Sequence, residues 1–336
     1  MNRQLPALLI LCLFSAKLFS QGSAGSAAAS GSGSAAFGWT APKSAPEKSL
    51  YKLIAFLDSR QDTSSVGSYS LDPGTKPTKL MLKTPIQPQL EAILNAYTDA
   101  SSAFGAVLFQ LKRFSFAETQ KTVYAYLSAS LYALKDNGYV LLLNLDTTLV
   151  IEGPVNFQPA LTYASNEAID NFIARGITLA PTDTVVYSYD DVQRIDNVLK
   201  RKLKVYNTST YAEGFYSNYT AFKNQLPDLQ GEVKLRGDGS MGVVLHSTEW
   251  TEPRGKKHIF AVVYKGVPYV VTHFGYYRLE KQSDDFYFSG RLNVAGSSQS
   301  LGLFNSNAAD ADRRNYRVLI DYNNGEFIHL KAPEAQ

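Results

Sequence analysis

The sequence of 336 residues contains one cysteine, Cys12, which lies in an apolar segment near the N-terminus. Removal of that segment on export leaves a chain without thiols. Disulfide bonds, thiolate catalysis and cysteine-ligated metals are then excluded together. The residue before Cys12 is Leu11, whereas a lipid-attachment site requires a small residue at that position. The sequence therefore does not favour a lipoprotein.

An excess of charge of one sign is also lacking. The formal net charge is +3, and loss of Arg3 and Lys17 with the N-terminal segment would leave +1. A nearly neutral protein gives no electrostatic argument for nucleic acid or for acidic substrates. No nucleic-acid partner is predicted.

Motifs for catalysis or cofactor binding are missing as well. The chain has no Gly-x-Ser-x-Gly elbow, phosphate loop or dinucleotide fingerprint. Asp310 and Asp312 stand beside two arginines, which makes a poor cage for calcium, an ion that takes six or more oxygen ligands. None of the four histidines has the spacing of a helical metal site; they are His246, His258, His273 and His329. The sequence predicts no catalytic residue, no metal ligand and no cofactor.

The N-terminus has the pattern of a secretory signal. Arg3 precedes the apolar run from Leu5 to Ala16, and small residues follow, with cleavage expected after Ser20 or Ala24. The run is too short to cross a bilayer. Residues 1–20 are therefore predicted to be a signal peptide, and the protein to be exported to the periplasm, the outer membrane or the extracellular space. No transmembrane helix is predicted in the mature chain.

Residues 21–42 consist almost entirely of Gly, Ser and Ala and are predicted to form a flexible linker. Trp39 lies near its end and is expected to fold back onto the following domain. Residues 43–181 are predicted to form an α+β domain. Its elements are three antiparallel strands between two helices, at Pro88–Tyr97, Gly105–Phe116, Thr122–Leu134, Tyr139–Ile151 and Phe157–Ile177. Ser49–Asp58 carries apolar residues at helical spacing.

This order suggests helices on one face of a meander sheet. The layout resembles small envelope-associated domains of bacterial lipoproteins. Residues 182–204 are predicted to connect the domains through a short strand and a helix that begins after Ser188. The helix ends in a basic cluster, interpreted as a solvated terminus, with contact to anionic lipid as the alternative; its members are Lys200, Arg201, Lys202 and Lys204.

Residues 205–336 are predicted to form a β-rich domain, a small barrel or sandwich. Its strands are expected at Glu232–Leu235, Gly242–His246, His258–Tyr264, Pro268–His273, Tyr276–Glu280, Phe286–Leu292, Tyr316–Tyr322 and Glu326–Lys331, with a surface loop at Ser297–Arg314. The domain opens with a short helix capped by Asn218 and ended by Pro227. Tyr219 and Phe222 share one face of that helix.

The segment from Gly214 to Pro227 has the pattern Gly-x-Tyr-x-(Ser/Thr/Asn)-aromatic-x-x-Phe, followed by Asn and Pro. The pattern, together with the alternating and aromatic strands after it, resembles an uncharacterised group of secreted Bacteroidetes proteins over residues 205 to 331. The group has no assigned activity. The resemblance therefore implies a fold and an exported location, and it carries over no active site.

Aromatic residues on the second domain are the candidate binding residues. Trp250 lies in a polar stretch between predicted strands, where tryptophan can anchor a partner or stack on a sugar ring. Tyr276 and Tyr277 are adjacent in a strand, so one of them is expected to face outward. The sequence therefore favours a non-catalytic binding or assembly protein of the cell envelope, with an envelope protein or a glycan as partner. The alternatives are a secreted hydrolase that acts on an envelope or extracellular polymer, with acids such as Asp284 and Asp285 in a cleft, and a purely structural surface protein.

Overall fold

The computed structural model describes residues 36–42, 49–60, 63, 66, 68–69, 78–82, 84–97, 102, 104–118, 122–152, 157–235, 241–246, 259–291 and 315–330. The fold is mixed α+β, as the sequence predicts. The first elements in chain order are β1 Ala36–Phe37, β2 Tyr51–Asp58, β3 Ser68–Tyr69, β4 Thr78–Lys79, β5 Met81–Leu82, α1 Ile86–Tyr97, β6 Phe104–Glu118, β7 Thr122–Lys135, β8 Gly138–Glu152, α2 Phe157–Gly176 and β9 Val186–Tyr187.

Five of these strands form one sheet in the order β2-β6-β7-β8-β9. Strand β2 pairs parallel with β6, and the other pairings are antiparallel. The helical expectation for Ser49–Asp58 is therefore wrong. A short apolar run has no reliable period of its own, and pairing with β6 decides its structure. The connection from β2 to β6 runs through α1, as parallel pairing requires a crossover.

The two faces of this sheet are distinguished by the alternation along β7. Odd-numbered residues from Val123 to Ala133 belong to the main core, with α1 and α2 packed over them. Even-numbered residues face the opposite side, where Tyr124 and Tyr126 pack against Ile328, and Tyr132 packs against Val192. The predicted apolar face of this strand is confirmed.

Trp39 lies inside the first core. Its side chain is buried against Phe114, with ring centroids 4.5 Å apart. Its backbone N–H donates to Gln89 Oε1 at 2.6 Å, and its indole Nε1–H donates to Ser165 Oγ at 3.1 Å. The end of the predicted linker is thus attached to both helices, as expected for Trp39.

The second half of the chain contains short helices and strands. They are α3 Tyr189–Gln193, α4 Ile195–Lys200, α5 Lys204–Asn207, β10 Gly214–Tyr216, α6 Tyr219–Lys223, β11 Gly231–Leu235, β12 Met241–Leu245, β13 Ala261–Tyr264, β14 Val267–Thr272, β15 Gly275–Arg278, β16 Glu280–Gln282, β17 Asp285–Gly290, β18 Tyr316–Ile320 and β19 Phe327–His329. Two four-stranded sheets, β10-β13-β14-β15 and β16-β17-β18-β19, share one core.

Both predicted helix caps are present. Ser188 accepts the backbone N–H of Asp191 in a capping box, and Asn218 accepts the backbone N–H of Ala221. Tyr219 and Phe222 are buried together in the second core, as expected. The predicted connecting helix is, however, divided into α3 and α4 at Arg194, whose backbone is not helical.

Candidate binding surface

A polar layer joins the five-stranded sheet to the turn between β18 and β19. Arg113 Nη1 donates to Asp321 Oδ2 at 2.6 Å, and Thr148 Oγ1 donates to Glu326 Oε2 at 3.0 Å. Burial raises the pKa of the Glu326 carboxyl, and its hydrogen bond with Thr148 opposes that effect. Each of these groups is engaged in holding two parts of the fold together, so we assign the layer a structural role.

His329 belongs to an aromatic cluster beside this layer. Its Nδ1 lies 2.8 Å from the Tyr126 hydroxyl, and its ring stacks on Tyr124 and meets the ring of Tyr316 edge to face. His246 is exposed, with Nε2 3.5 Å from a Glu232 carboxylate oxygen. Within the described ranges, no group of three or more His, Cys, Asp or Glu residues is placed to hold a metal ion.

The two acids of the hydrolase alternative have different environments. Asp285 Oδ1 accepts a hydrogen bond from Lys200 Nζ at 2.6 Å, and both side chains are largely buried. Asp284 lies exposed in the preceding turn. The interpretation of Lys200 as part of a solvated basic cluster is wrong, because its ammonium group packs inward against Asp285 and the ring of Tyr322. The other three members of that cluster are exposed.

The predicted binding residues are not equivalent in the structure. Tyr277 on β15 packs against the second core, with its ring 5.8 Å from that of Phe288 in a stacked arrangement. Tyr276 is half-buried and lies opposite Val271 of β14. Trp250 lies outside the described residues, as do His258 and the predicted loop Ser297–Arg314.

The hairpin of β11 and β12 presents an apolar face that is not among the predicted binding residues. The two strands pair only with each other among the described strands. Their register places Val233 opposite Val243 and Leu235 opposite Met241. Side chains directly opposite one another lie on the same face of a sheet. We define the hairpin face as Val233, Leu235, Met241, Val243 and Leu245.

The hairpin face remains accessible within the part of the chain that the structure describes. Leu235 is 58% exposed, and the other four side chains are half-buried. None of the five belongs to any of the described hydrophobic clusters. The opposite face carries Glu232, Lys234, Val244 and His246, so the hairpin is amphipathic. The alternation of Val233 and Leu235 is visible in the sequence. The sequence does not show that the two large cores leave this face uncovered among the described residues.

No described helix has the combination of length and hydrophobicity that a membrane span requires. Comparison with family models and with curated proteins gives no match. A crystal structure of a Xanthomonas campestris protein, described as family DUF330, matches 49% of this chain and 97% of that chain. The TM-score is 0.30 and the sequence identity is 12%. A likeness at this level supports no inference about fold or function.

Proposed function

We propose that this protein is an exported, non-catalytic binding or assembly component of the cell envelope. Its partner would be another envelope protein or a glycan. The proposal rests on the hairpin face, an apolar surface that belongs to neither of the two large hydrophobic cores. Contiguous apolar surface that the fold leaves exposed is typical of interaction sites. The exported location rests on the signal pattern in residues 1–20 and on the resemblance to secreted Bacteroidetes proteins.

The predicted binding residues are also part of the proposal. Trp250 follows the last described hairpin residue, His246, by four positions, so it lies close to the hairpin face along the chain. Tryptophan is enriched among the residues that contribute most to binding energy. We retain Trp250 and Tyr276 as proposed contacts with a partner. We propose that Tyr277 contributes indirectly, because its ring supports β15 from the core side.

The proposal includes the division of the chain into an α+β domain at residues 43–181 and a β-rich barrel or sandwich at 205–336. The hydrolase alternative lacks a supporting observation. A carboxylate that already accepts a short hydrogen bond from a buried ammonium group, as Asp285 does, is poorly placed to act as a free acid or base. We therefore offer no second function.

The decisive experiment is affinity capture of the tagged full chain from chemically crosslinked envelopes, followed by mass spectrometry. The test variant carries Leu235→Ser and Val243→Ser on the hairpin face. Its matched control is Val244→Ser, because Val244 is 42% exposed on the opposite face of the same hairpin. We expect a reproducible partner, captured by the wild type and the control and depleted at least tenfold with the test variant.

Equal capture by the test variant and the control would contradict a role for the hairpin face. Capture of the bait alone would argue against a protein partner, and glycan arrays with the wild type and the same two variants would then test the other partner class. The exported location is tested separately. Recovery of the intact N-terminus on protein from the cytoplasm would contradict the proposed exported location.

A further inference from the structure

Strand β8 has a long outer edge that is open in the described structure. Its inner edge pairs with β7 along its whole length. On the outer edge, β9 pairs only with Tyr139 and Val140. Among described residues no backbone hydrogen bond reaches the outer edge from Leu143 to Ile151. Within the described part of the chain, this edge therefore presents a row of free backbone donors and acceptors, the usual template for strand addition.

The open edge lacks the features that normally protect such strands. The stretch from Leu143 to Ile151 reads Leu-Asn-Leu-Asp-Thr-Thr-Leu-Val-Ile, with no proline, no lysine and one charged residue, Asp146. The one register irregularity in its pairing with β7 lies before this stretch, beside Leu131. Natural edge strands usually carry lysine, proline or bulges that prevent pairing with another chain. The lack of these features in the stretch from Leu143 to Ile151 indicates that another strand covers the edge in the functional protein.

The apolar layer beneath α2 is also incomplete at this edge. Leu143, Leu145 and Leu149 face the main core but remain half-buried. A strand added beside β8 would place its own alternate side chains next to this row. The best occupant is therefore a strand whose apolar residues have the same alternation and which places no negative charge opposite Asp146.

We infer that a second copy of this chain occupies the edge, through antiparallel pairing of β8 with β8 of its partner about a two-fold axis at Thr147. In this register Thr147 lies opposite itself, Leu145 opposite Leu149, and Leu143 opposite Ile151. Every apolar residue of the row then meets an apolar residue on the same face, and the axis pairs two threonines, a favourable cross-strand pair. The contact is self-complementary, as a two-fold interface must be.

Charge disfavours the neighbouring register in which the axis lies one residue earlier. An axis at Asp146 would place two carboxylates directly opposite each other, which is unfavourable. With the axis at Thr147, Asp146 lies opposite Thr148, and Asn144 lies opposite Val150. The Thr148 side chain is already oriented by its hydrogen bond to Glu326 at 3.0 Å, so the centre of the edge is held in place. The two five-stranded sheets become one continuous sheet.

The first test is the mass of the full-length protein by light scattering across a dilution series. We expect the mass of two chains, with dissociation on dilution. The second test fixes the register with thiols in a Cys12→Ser background, which contains no other cysteine. The double variant Asn144→Cys with Val150→Cys should form intermolecular disulfides on mild oxidation, because these two exposed residues lie opposite each other in the pair.

Two features make the thiol test specific. Residues 144 and 150 of one strand are about 20 Å apart at ~3.3 Å per residue, which is too far for a disulfide within one chain. Each single variant provides the matched control, since its thiol faces an asparagine or a valine of the partner. A 1:1 mixture of the two single variants should yield the mixed disulfide in preference to either homodisulfide.

A single-chain mass at every concentration would overturn the inference. A two-chain mass without the disulfide in the double variant, or equal disulfide formation by the single variants, would place the dimer contact elsewhere and would equally overturn it. Because the hairpin face is a different surface, these results are independent of the proposed binding function.

Discussion

Arg113 on β6 and Asp321 after β18 form an ion pair across 208 positions of sequence, with Nη1 and Oδ2 2.6 Å apart. The Asp321 carboxylate is only 3% exposed. A buried charge that loses its partner is strongly destabilising, because it has given up its hydration. We expect Arg113→Met to lower the free energy of unfolding by about 3 to 5 kcal/mol, measured by urea denaturation.

The double variant Arg113→Met with Asp321→Asn provides the control for this prediction. Removal of both charges leaves no unpaired carboxylate at position 321, so the double variant should be more stable than Arg113→Met alone. Equal stabilities of the single and double variants would contradict the pair as the origin of the effect.

Asp170 on α2 carries a carboxyl group whose ionisation destabilises the fold. Burial raises its pKa from 3.8 to about 6. Asn166 donates to Oδ2 at 3.0 Å, whereas Oδ1 is buried without a hydrogen-bond partner among the described residues. Because the pKa of Asp170 is higher in the folded state than in the unfolded state, the folded state binds the carboxyl proton more tightly. Stability is therefore lost as the pH rises from about 4 to about 6.

We expect Asp170→Asn to increase the melting temperature at pH 7 and to have little effect below pH 4, measured by scanning calorimetry in both buffers. Asp284→Asn is the matched control, because Asp284 is exposed in a turn. A similar increase in both variants at pH 7 would attribute the effect to net charge rather than to burial of Asp170.

Gly290 at the end of β17 packs against the Tyr277 ring. A Cβ atom at position 290 would lie 2.6 Å from two ring carbons of Tyr277, which is closer than real contacts allow. We expect Gly290→Ala to lower the free energy of unfolding by about 1 to 3 kcal/mol, since an overfilled core must shift its neighbours. In a Tyr277→Ala background the same substitution should be close to neutral. An equal loss in both backgrounds would show that the clash with Tyr277 is not the cause.

Trp39 anchors the N-terminal segment to both helices of the first core. We expect Trp39→Ala to lower the free energy of unfolding by about 3 to 5 kcal/mol, because it removes a large buried side chain and leaves a cavity. Thr40→Ala is the control. The Thr40 side chain is exposed and its hydrogen bond to Asn166 comes from the backbone. A Trp39→Ala variant as stable as Thr40→Ala would contradict the burial of Trp39.

Sequence patterns were sufficient where a residue acts within its own segment. The caps at Ser188 and Asn218 need only a side-chain oxygen near the first turn of a helix, and the alternation in β7 follows from strand geometry. Patterns were insufficient for Ser49–Asp58, because its apolar residues fit the period of a helix as well as that of a strand. Pairing with β6 decides that the segment is a strand. They also misplaced Lys200, whose partner lies 85 positions away.

The mixed α+β class, the central strands, the caps and the buried faces follow from the amino-acid pattern, because they depend on side chains a few positions apart. Only the packed fold shows which charges are buried in pairs and which tyrosine supports the core. It also shows which hairpin face and which strand edge the other described residues leave uncovered. Those properties depend on contacts between residues far apart in the chain. Local periodicity predicts that a face is apolar. Whether another element covers that face is seen only in the packed fold.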